Sequence, residues 1–450
     1  MTGLGLAALA STLVVVLLFS KHAFGTWFSP MGVYFGVWTT LLSLYILRLI
    51  TYDPITATMW WVIAVSFLGF STGSITPVLA RFSQQAVRNR VCSGLSTGPS
   101  SQKRLRILIL LLCVPSALAV AGQWAILLSQ GGSIGAVLGR AGVLREAFVQ
   151  GELELGVLEY LSIFAYAASI LGGGYLALVS VSHVTPYLPM FFIVAFSVPI
   201  TARLSIIWGL ALYLSAFLLT RLATGGFRIT GKRIVAAAAL AMATLLAMNL
   251  LWEARMGGEY KLLERYASPS FVAARDALLA TTGPVGSALM GNSISLYAYA
   301  TNPFAKLNAV VSRVPLQADA PRPGTVTFAA FFRLLAKTGI VHGEFTGQLE
   351  AWLVPVPAKP GTYLSTVFYD FGWIGIAIIP YLFGICGTYL YMRYMRKPDY
   401  TTLGILCVLY LAILYSWHNS LFVHTVPLGV LLVWLPTGSV LDRSWGFLLK

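Results

Sequence analysis

The sequence predicts an all-α, polytopic transmembrane helix bundle of about eleven helices. Three observations predict it: 58% of the 450 residues are hydrophobic and only 10% are charged, mean hydropathy is +0.79, and apolar runs long enough to cross a bilayer core about 30 Å thick recur along the chain. Soluble domains carry roughly a quarter charged residues, so a water-soluble globule is excluded.

Taken in order, the expected crossings are 2–20, 31–50, 58–79, 107–128, 156–182, 186–202, 204–220, 234–251, 366–392, 402–417 and 420–440. The first has no basic residue before it and Lys21 after it, the reverse of a secretory signal, and reads as a retained helix. Residues 1–251 form an N-terminal bundle with an outer loop at 129–155, 252–365 a large outer cap, and 366–450 the C-terminal helices. Loops this long are usually functional. The cap contains helical patterns at 270–282 and 326–338 and Pro-rich punctuation from Pro315 to Pro360. Its tyrosines, phenylalanines and Trp352 suit either an interfacial aromatic belt or the stacking of sugars.

The net charge of +15 sorts by membrane side instead of marking a nucleic-acid site. Lys21, the 81–106 loop, the 221–233 loop and the segments after 392 and 442 together hold sixteen bases against Asp399 and Asp442, leaving fourteen bases and thirteen acids elsewhere. The positive-inside bias makes the first set cytoplasmic and places 129–155 and 252–365 outside. Cys92, Cys113, Cys386 and Cys407 include no CxxC spacing, so neither a disulfide framework nor a metal site is expected. No phosphate-binding glycine motif follows a strand-like run, and no cofactor is expected.

The segment from Pro360 to Gly375 contains Tyr369-Asp370-Phe371-Gly372 followed by Gly375. It resembles the signature that opens a late transmembrane helix in O-antigen and capsule repeat-unit polymerases of the Wzy type. Thr201-Ala202-Arg203-Leu204-Ser205 and Glu253-Ala254-Arg255-Met256-Gly257 resemble two further motifs of that family, and Arg140…Gly151, Arg145…Gly156 and Arg313…Gly324 have its Arg-x10-Gly spacing. The resemblance implies a large helical periplasmic segment between late helices. It also implies a metal-independent glycosyltransferase of the bacterial inner membrane, active on its periplasmic face. Its partners would be undecaprenyl-diphosphate-linked oligosaccharide, membrane lipids and a chain-length regulator, with no nucleic acid.

A sugar on a lipid diphosphate already carries a good leaving group. Transfer therefore needs charge neutralisation on the diphosphate and a base for the acceptor hydroxyl. Arginine binds phosphate oxygens bidentately and stays charged at any relevant pH. Arg203 is the sharpest candidate because it interrupts the apolar stretch 186–220, where a charge costs about 2.5–3.5 kcal/mol at mid-helix. Arg255 directly follows a crossing, and Arg140, Arg145, Arg313, Arg333 and Tyr369 complete the expected diphosphate- and substrate-binding set. On one helix Arg140 and Arg145 would lie about 140° apart and bracket a ligand. Candidate catalytic groups are His342, Glu344, Asp370 and His418. Asp370 has a competing role in satisfying backbone donors.

His418-Asn419 with Gly429 partly echoes the O-antigen ligase motif, whose final glycine is replaced here by Leu432. A ligase with the same donor is the alternative enzyme. A lipid-linked oligosaccharide flippase or transporter is the alternative class, against which stand the long outer segment and the lack of paired interrupted helices.

Overall fold

The computed structural model describes residues 2–80, 99–150, 155–179, 183–200, 202–225, 267–269, 271–273, 276–277, 297–312, 324–343 and 361–446. In chain order its helices are α1 (Thr2–Phe24), α2 (Pro30–Leu47), α3 (Ala57–Leu79), α4 (Pro99–Gly131), α5 (Ile134–Gly139), α6 (Ala141–Gln150), α7 (Val157–Leu178), α8 (Leu188–Ser197), α9 (Arg203–Ala223), α10 (297–312), α11 (Ala329–Lys337), α12 (Tyr363–Arg396), α13 (Tyr400–Tyr415) and α14 (Thr425–Gly446). The protein is an all-α, multi-pass membrane protein. Among the described residues, eight helices are long and apolar enough to cross a membrane: α1, α2, α3, α4, α7, α9, α12 and α14.

One expected crossing is shorter than the sequence suggested, and another keeps its length but shifts by two residues. For 186–202 the structure has a 3-10 turn at Thr185–Tyr187 and the 10-residue α8. At 1.5 Å per residue, α8 is about 15 Å long, half a bilayer core. The helix ends because residues 198–200 turn, with Ala202 N–H returning 2.9 Å to the Ser197 carbonyl. For 402–417 it has the 16-residue α13. The expected crossing 234–251 lies outside the described residues.

The chain divides into two units, each built from segments distant in sequence. The first comprises Met1–Ser83, Glu259–Tyr391 and Ala412–Thr425; the second comprises Gln84–Gly258, Met392–Leu411 and Val426–Lys450.

In the first unit, α2 starts where Ser29 Oγ accepts from Gly32 N–H at 3.1 Å, with Pro30 at the helix start. Helix α3 starts similarly at Thr56, whose hydroxyl accepts from Met59 N–H at 3.3 Å. The apolar core of this unit centres on Trp38, Leu42, Met59 and Phe304, all buried. Within it Tyr34 stacks on Phe70 with centroids 4.0 Å apart. Hydroxyls placed among these rings pair with one another: Tyr34, Ser66 and Tyr363 close a triangle of 2.8, 2.9 and 3.1 Å. Buried polar groups need such partners, because leaving one unmade costs about 1–3 kcal/mol. Helices α3 and α12 approach so closely that a Cβ at Gly73 would collide with the Tyr381 carbonyl, the small-residue contact by which membrane helices pack.

In the second unit, α7 packs on α4, α8 and α9. The two acids of the basic segments serve as caps for α13. Asp399 accepts from Thr402 N–H at 2.7 Å and from the Thr402 hydroxyl at 2.8 Å. Asp442 accepts from Tyr400 N–H at 2.8 Å, Thr401 N–H at 3.1 Å and the Thr401 hydroxyl at 2.6 Å. Carboxylates at a helix start satisfy orphan donors and oppose the positive end of the macrodipole. By contrast the Arg393–Asp399 pair, at 3.9 Å with Arg393 54% exposed, contributes little.

Candidate functional site

Helix α12 carries the Tyr369-Asp370-Phe371-Gly372 motif, and the structure gives this motif a local physical cause. Gly372 has φ 59° and ψ −146° inside the helical run, so α12 is two helical pieces joined at a kink. That conformation is essentially reserved for glycine. Directly before the kink, Asp370 is buried and its Oδ2 accepts from Thr327 N–H at 2.6 Å. Asp370 thus pins the turn 324–328 that leads into α11. The same turn is held from its other side by Ser420, whose hydroxyl donates to the Thr327 carbonyl at 3.1 Å. Phe328 fills the gap between Phe371 and Phe422, at centroid distances of 6.3 and 5.6 Å.

This arrangement walls a small cavity of about 20 Å³. Apolar side chains dominate its lining, among them Phe70, Val367, Ile379, Phe383 and Phe422, with polar atoms from Thr327, Ser416, Asn419 and Ser420 at intervals. Binding pockets commonly have this character, mostly apolar with a few placed polar groups.

The connector from α13 to α14 forms one wall and carries the titratable groups. Tyr415, at the end of α13, has its hydroxyl 3.0 Å from His418 Nδ1 and 3.2 Å from His424 Nε2. His418 is 7% exposed, lies under the rings of Tyr299 and Trp417, and has no hydrogen-bond partner for its Nε2. Burial, and then the neighbouring His424, push the His418 imidazole down to about 3. Burial and then the positive Arg333 push His424 down to about 4. Both rings are therefore neutral at physiological pH. Arg333 in α11 donates to the carbonyl of Val423, next to His424. Its guanidinium is partly buried, which lowers its pKa.

Asp370, Arg333 and His418, chosen from sequence for separate reasons, thus meet around the turn 324–328 and the connector 416–424. Tyr369 sits half-buried beside Asp370 in α12. His342 is exposed after the end of α11, away from these hydrogen bonds. Arg140 is exposed at the break between α5 and α6. The expectation of one helix presenting Arg140 and Arg145 about 140° apart is accordingly corrected, because the chain turns between α5 and α6. Arg145 belongs to α6, and Arg203 is the first residue of α9, so it stands at a helix start and not in mid-helix; their side chains, together with Glu344, Arg255 and Arg313, lie outside the described residues.

Comparisons of the chain with protein-family models, curated proteins and solved structures give no match.

Several residues of this site were not singled out from sequence. Tyr415 reads as one more apolar-helix residue, and His424 falls within a stretch counted as a crossing. Lys306 in α10 is fully buried, and its ammonium is pushed down to about 8 by that burial. A signal existed for Lys306, the one base in the run Pro303–Val311. A Cβ at Gly361 would lie 3.3 Å from its Cδ, so the glycine ahead of α12 makes room for the lysine stem.

Among the described residues no group of three or more His, Cys, Asp or Glu side chains is placed to hold a metal ion.

Proposed function

We propose that this protein joins lipid-diphosphate-linked oligosaccharide units into a polysaccharide. The glycosyl group passes from the lipid diphosphate to a sugar hydroxyl on the periplasmic face of a bacterial inner membrane. One observation carries the reading: an apolar, aromatic-lined cavity in a membrane protein, with neutral histidines on the adjoining connector and an arginine of α11 bonded to it. The cavity suits the hydrocarbon next to a diphosphate. Arg333 supplies a permanent positive charge for the leaving group, and a neutral imidazole can accept the proton of an attacking hydroxyl. Charge sorting along the chain and the resemblance of the α12 motif to repeat-unit polymerases support the same reading.

The purified full-length chain, given an undecaprenyl-diphosphate repeat unit alone, is expected to produce a ladder of products on a gel. Failure to extend the unit beyond a single repeat contradicts polymerisation. The ligase reading keeps one supporting observation, the buried His418 of His418-Asn419. Offering a lipid A core acceptor beside the repeat unit separates the two, since a ligase caps that acceptor and builds no ladder.

A further inference from the structure

The two pieces of α12 fold back on each other. The rings of Tyr363 and Phe383 lie 6.4 Å apart, although the residues between them would span about 30 Å in a straight helix. A Cβ at Gly375 would come within 3.0 Å of Val367 Cγ1. The piece before Gly372 therefore runs antiparallel to the start of the piece after it, and Gly372 is the tip of a helical hairpin.

The long arm sets the height of that tip. Arg393, one of the bases assigned to the cytoplasmic side, follows Trp373 by 20 residues, or about 30 Å of helix, the thickness of a bilayer core. With Arg393 at one boundary, Trp373 and the tip stand near the other. A tryptophan 39% exposed is the residue type expected there. Helix α11 is tied near the tip at two points. Phe328, directly before it, meets Phe371 and Phe422 at 6.3 and 5.6 Å, and Arg333 donates to the Val423 carbonyl.

Away from these contacts α11 turns an apolar stripe. Phe331 is 51% exposed, Leu334 is 43% exposed, and Leu335 is half-buried. On a helix these three fall within an arc of about 100°, and Arg333 lies about 150° from its centre. The opposite face holds the buried Ala329.

We propose that α11 is an interfacial membrane helix whose partner is the lipid of the leaflet at the hairpin tip, with Phe331, Leu334 and Leu335 among the upper acyl chains. The crossing helix α12 already faces lipid there, with Ile374 71% exposed, and α11 adjoins that surface through the Phe328–Phe371 contact. Lys337, exposed beside the stripe, is placed to reach lipid phosphate along its apolar stem. A second protein is a poorer fit, because three partly exposed side chains offer roughly a few hundred Å², against about 800 Å² per partner in a stable interface. The lipid thereby fixes the height of Arg333, which α11 presents on its protein side near headgroup level. The inference rests on the membrane fold and not on the glycosyl-transfer reading.

The test uses the full chain in phosphatidylcholine vesicles. With its four cysteines replaced by alanine, single substitutions Phe331→Cys, Leu334→Cys and Leu382→Cys carry a bimane label. Leu382, exposed on α12 nine residues past Trp373, marks the acyl interior. The labels at Phe331→Cys and Leu334→Cys are expected to be quenched about twice as strongly by a nitroxide on the fifth acyl carbon as by one on the twelfth, and to be shielded from aqueous iodide. The label at Leu382→Cys responds in the opposite order to the two nitroxides. If iodide quenches the α11 labels and neither nitroxide does, the stripe faces water; if none of the three does, protein covers it, whether a second copy or another part of this chain. Either result overturns the proposal. The wild-type chain answers the same question without substitutions: a phospholipid with a diazirine high on its acyl chain is expected to label residues of 329–337 on irradiation. Labelling of α12 with none in 329–337 contradicts the interfacial placement and leaves the transfer reading untouched.

Discussion

Asp370 is bonded to the backbone of Thr327, and that contact separates two roles the sequence left open. An asparagine keeps an oxygen that can accept from Thr327 N–H but cannot act as a base. Asp370→Asn is therefore expected to retain polymerisation within a few-fold, while Asp370→Ala lowers thermal stability by about 1–3 kcal/mol through an unsatisfied buried donor. A large loss of rate in Asp370→Asn, at normal abundance and melting temperature, would mean that the carboxylate takes part in the chemistry. Arg203 calls for the opposite logic, since its proposed role depends on guanidinium geometry. Lysine keeps the charge and loses the fork, so Arg203→Lys and Arg255→Lys are each expected to cut polymerisation by about 100-fold at unchanged membrane abundance. Wild-type ladders from both variants would remove these two arginines from the donor site and leave Arg333 as the next to test. At this scale the sequence reveals a residue type that is costly in an apolar setting, which is how Arg203 stood out, while Asp370 and His418 stood out as outer-face bases within short motifs. It does not reveal Tyr415, because nothing in a helix-end tyrosine announces that two histidines from the following connector fold back onto it.

Helix α12 shows what an element contributes beyond its residues. The apolar pattern reads as one crossing over 366–392, yet Gly372 divides the helix and Asp370 and Phe371, just ahead of the kink, reach the turn 324–328. Gly372→Ala is expected to cost about 1–3 kcal/mol from backbone strain alone, seen as a lower melting temperature, whereas Gly36→Ala, in a helix with open space around the Cβ position, changes it little. Equal melting temperatures for the two variants would show that the kink is not required. The short helices mark the limit of reading elements from hydropathy. Prolines at 186 and 189 open α8, and the turn at 198–200 closes it, so an apolar run of crossing length holds a helix of half that span. Apolarity reports where a segment is comfortable, and turn geometry decides how far the helix runs.

For the whole molecule, composition was sufficient to establish a multi-pass helical protein, because no soluble core accommodates so many uncharged runs. The packing of α7 with α4 and α9, and of α11 against the connector at Leu421–Val423, was not legible, since those contacts join segments that share no sequence pattern. Orientation follows from charge alone. Single cysteines placed in 81–106 are expected to resist an impermeant thiol reagent in intact cells, and single cysteines in 129–155 and 252–365 to react. The reverse pattern inverts the topology and removes the proposed site from the periplasmic face. The central claim is that the protein exchanges one lipid-diphosphate bond for one glycosidic bond using its own side chains. Its most direct measurement is the count of lipid diphosphate released per linkage formed by purified protein in EDTA, with no nucleotide present. One released per linkage, at a rate unchanged by the chelator, is the result the account predicts. Release without linkage, linkage restored only by added metal, or lipid moved across the bilayer with its sugars intact would contradict it.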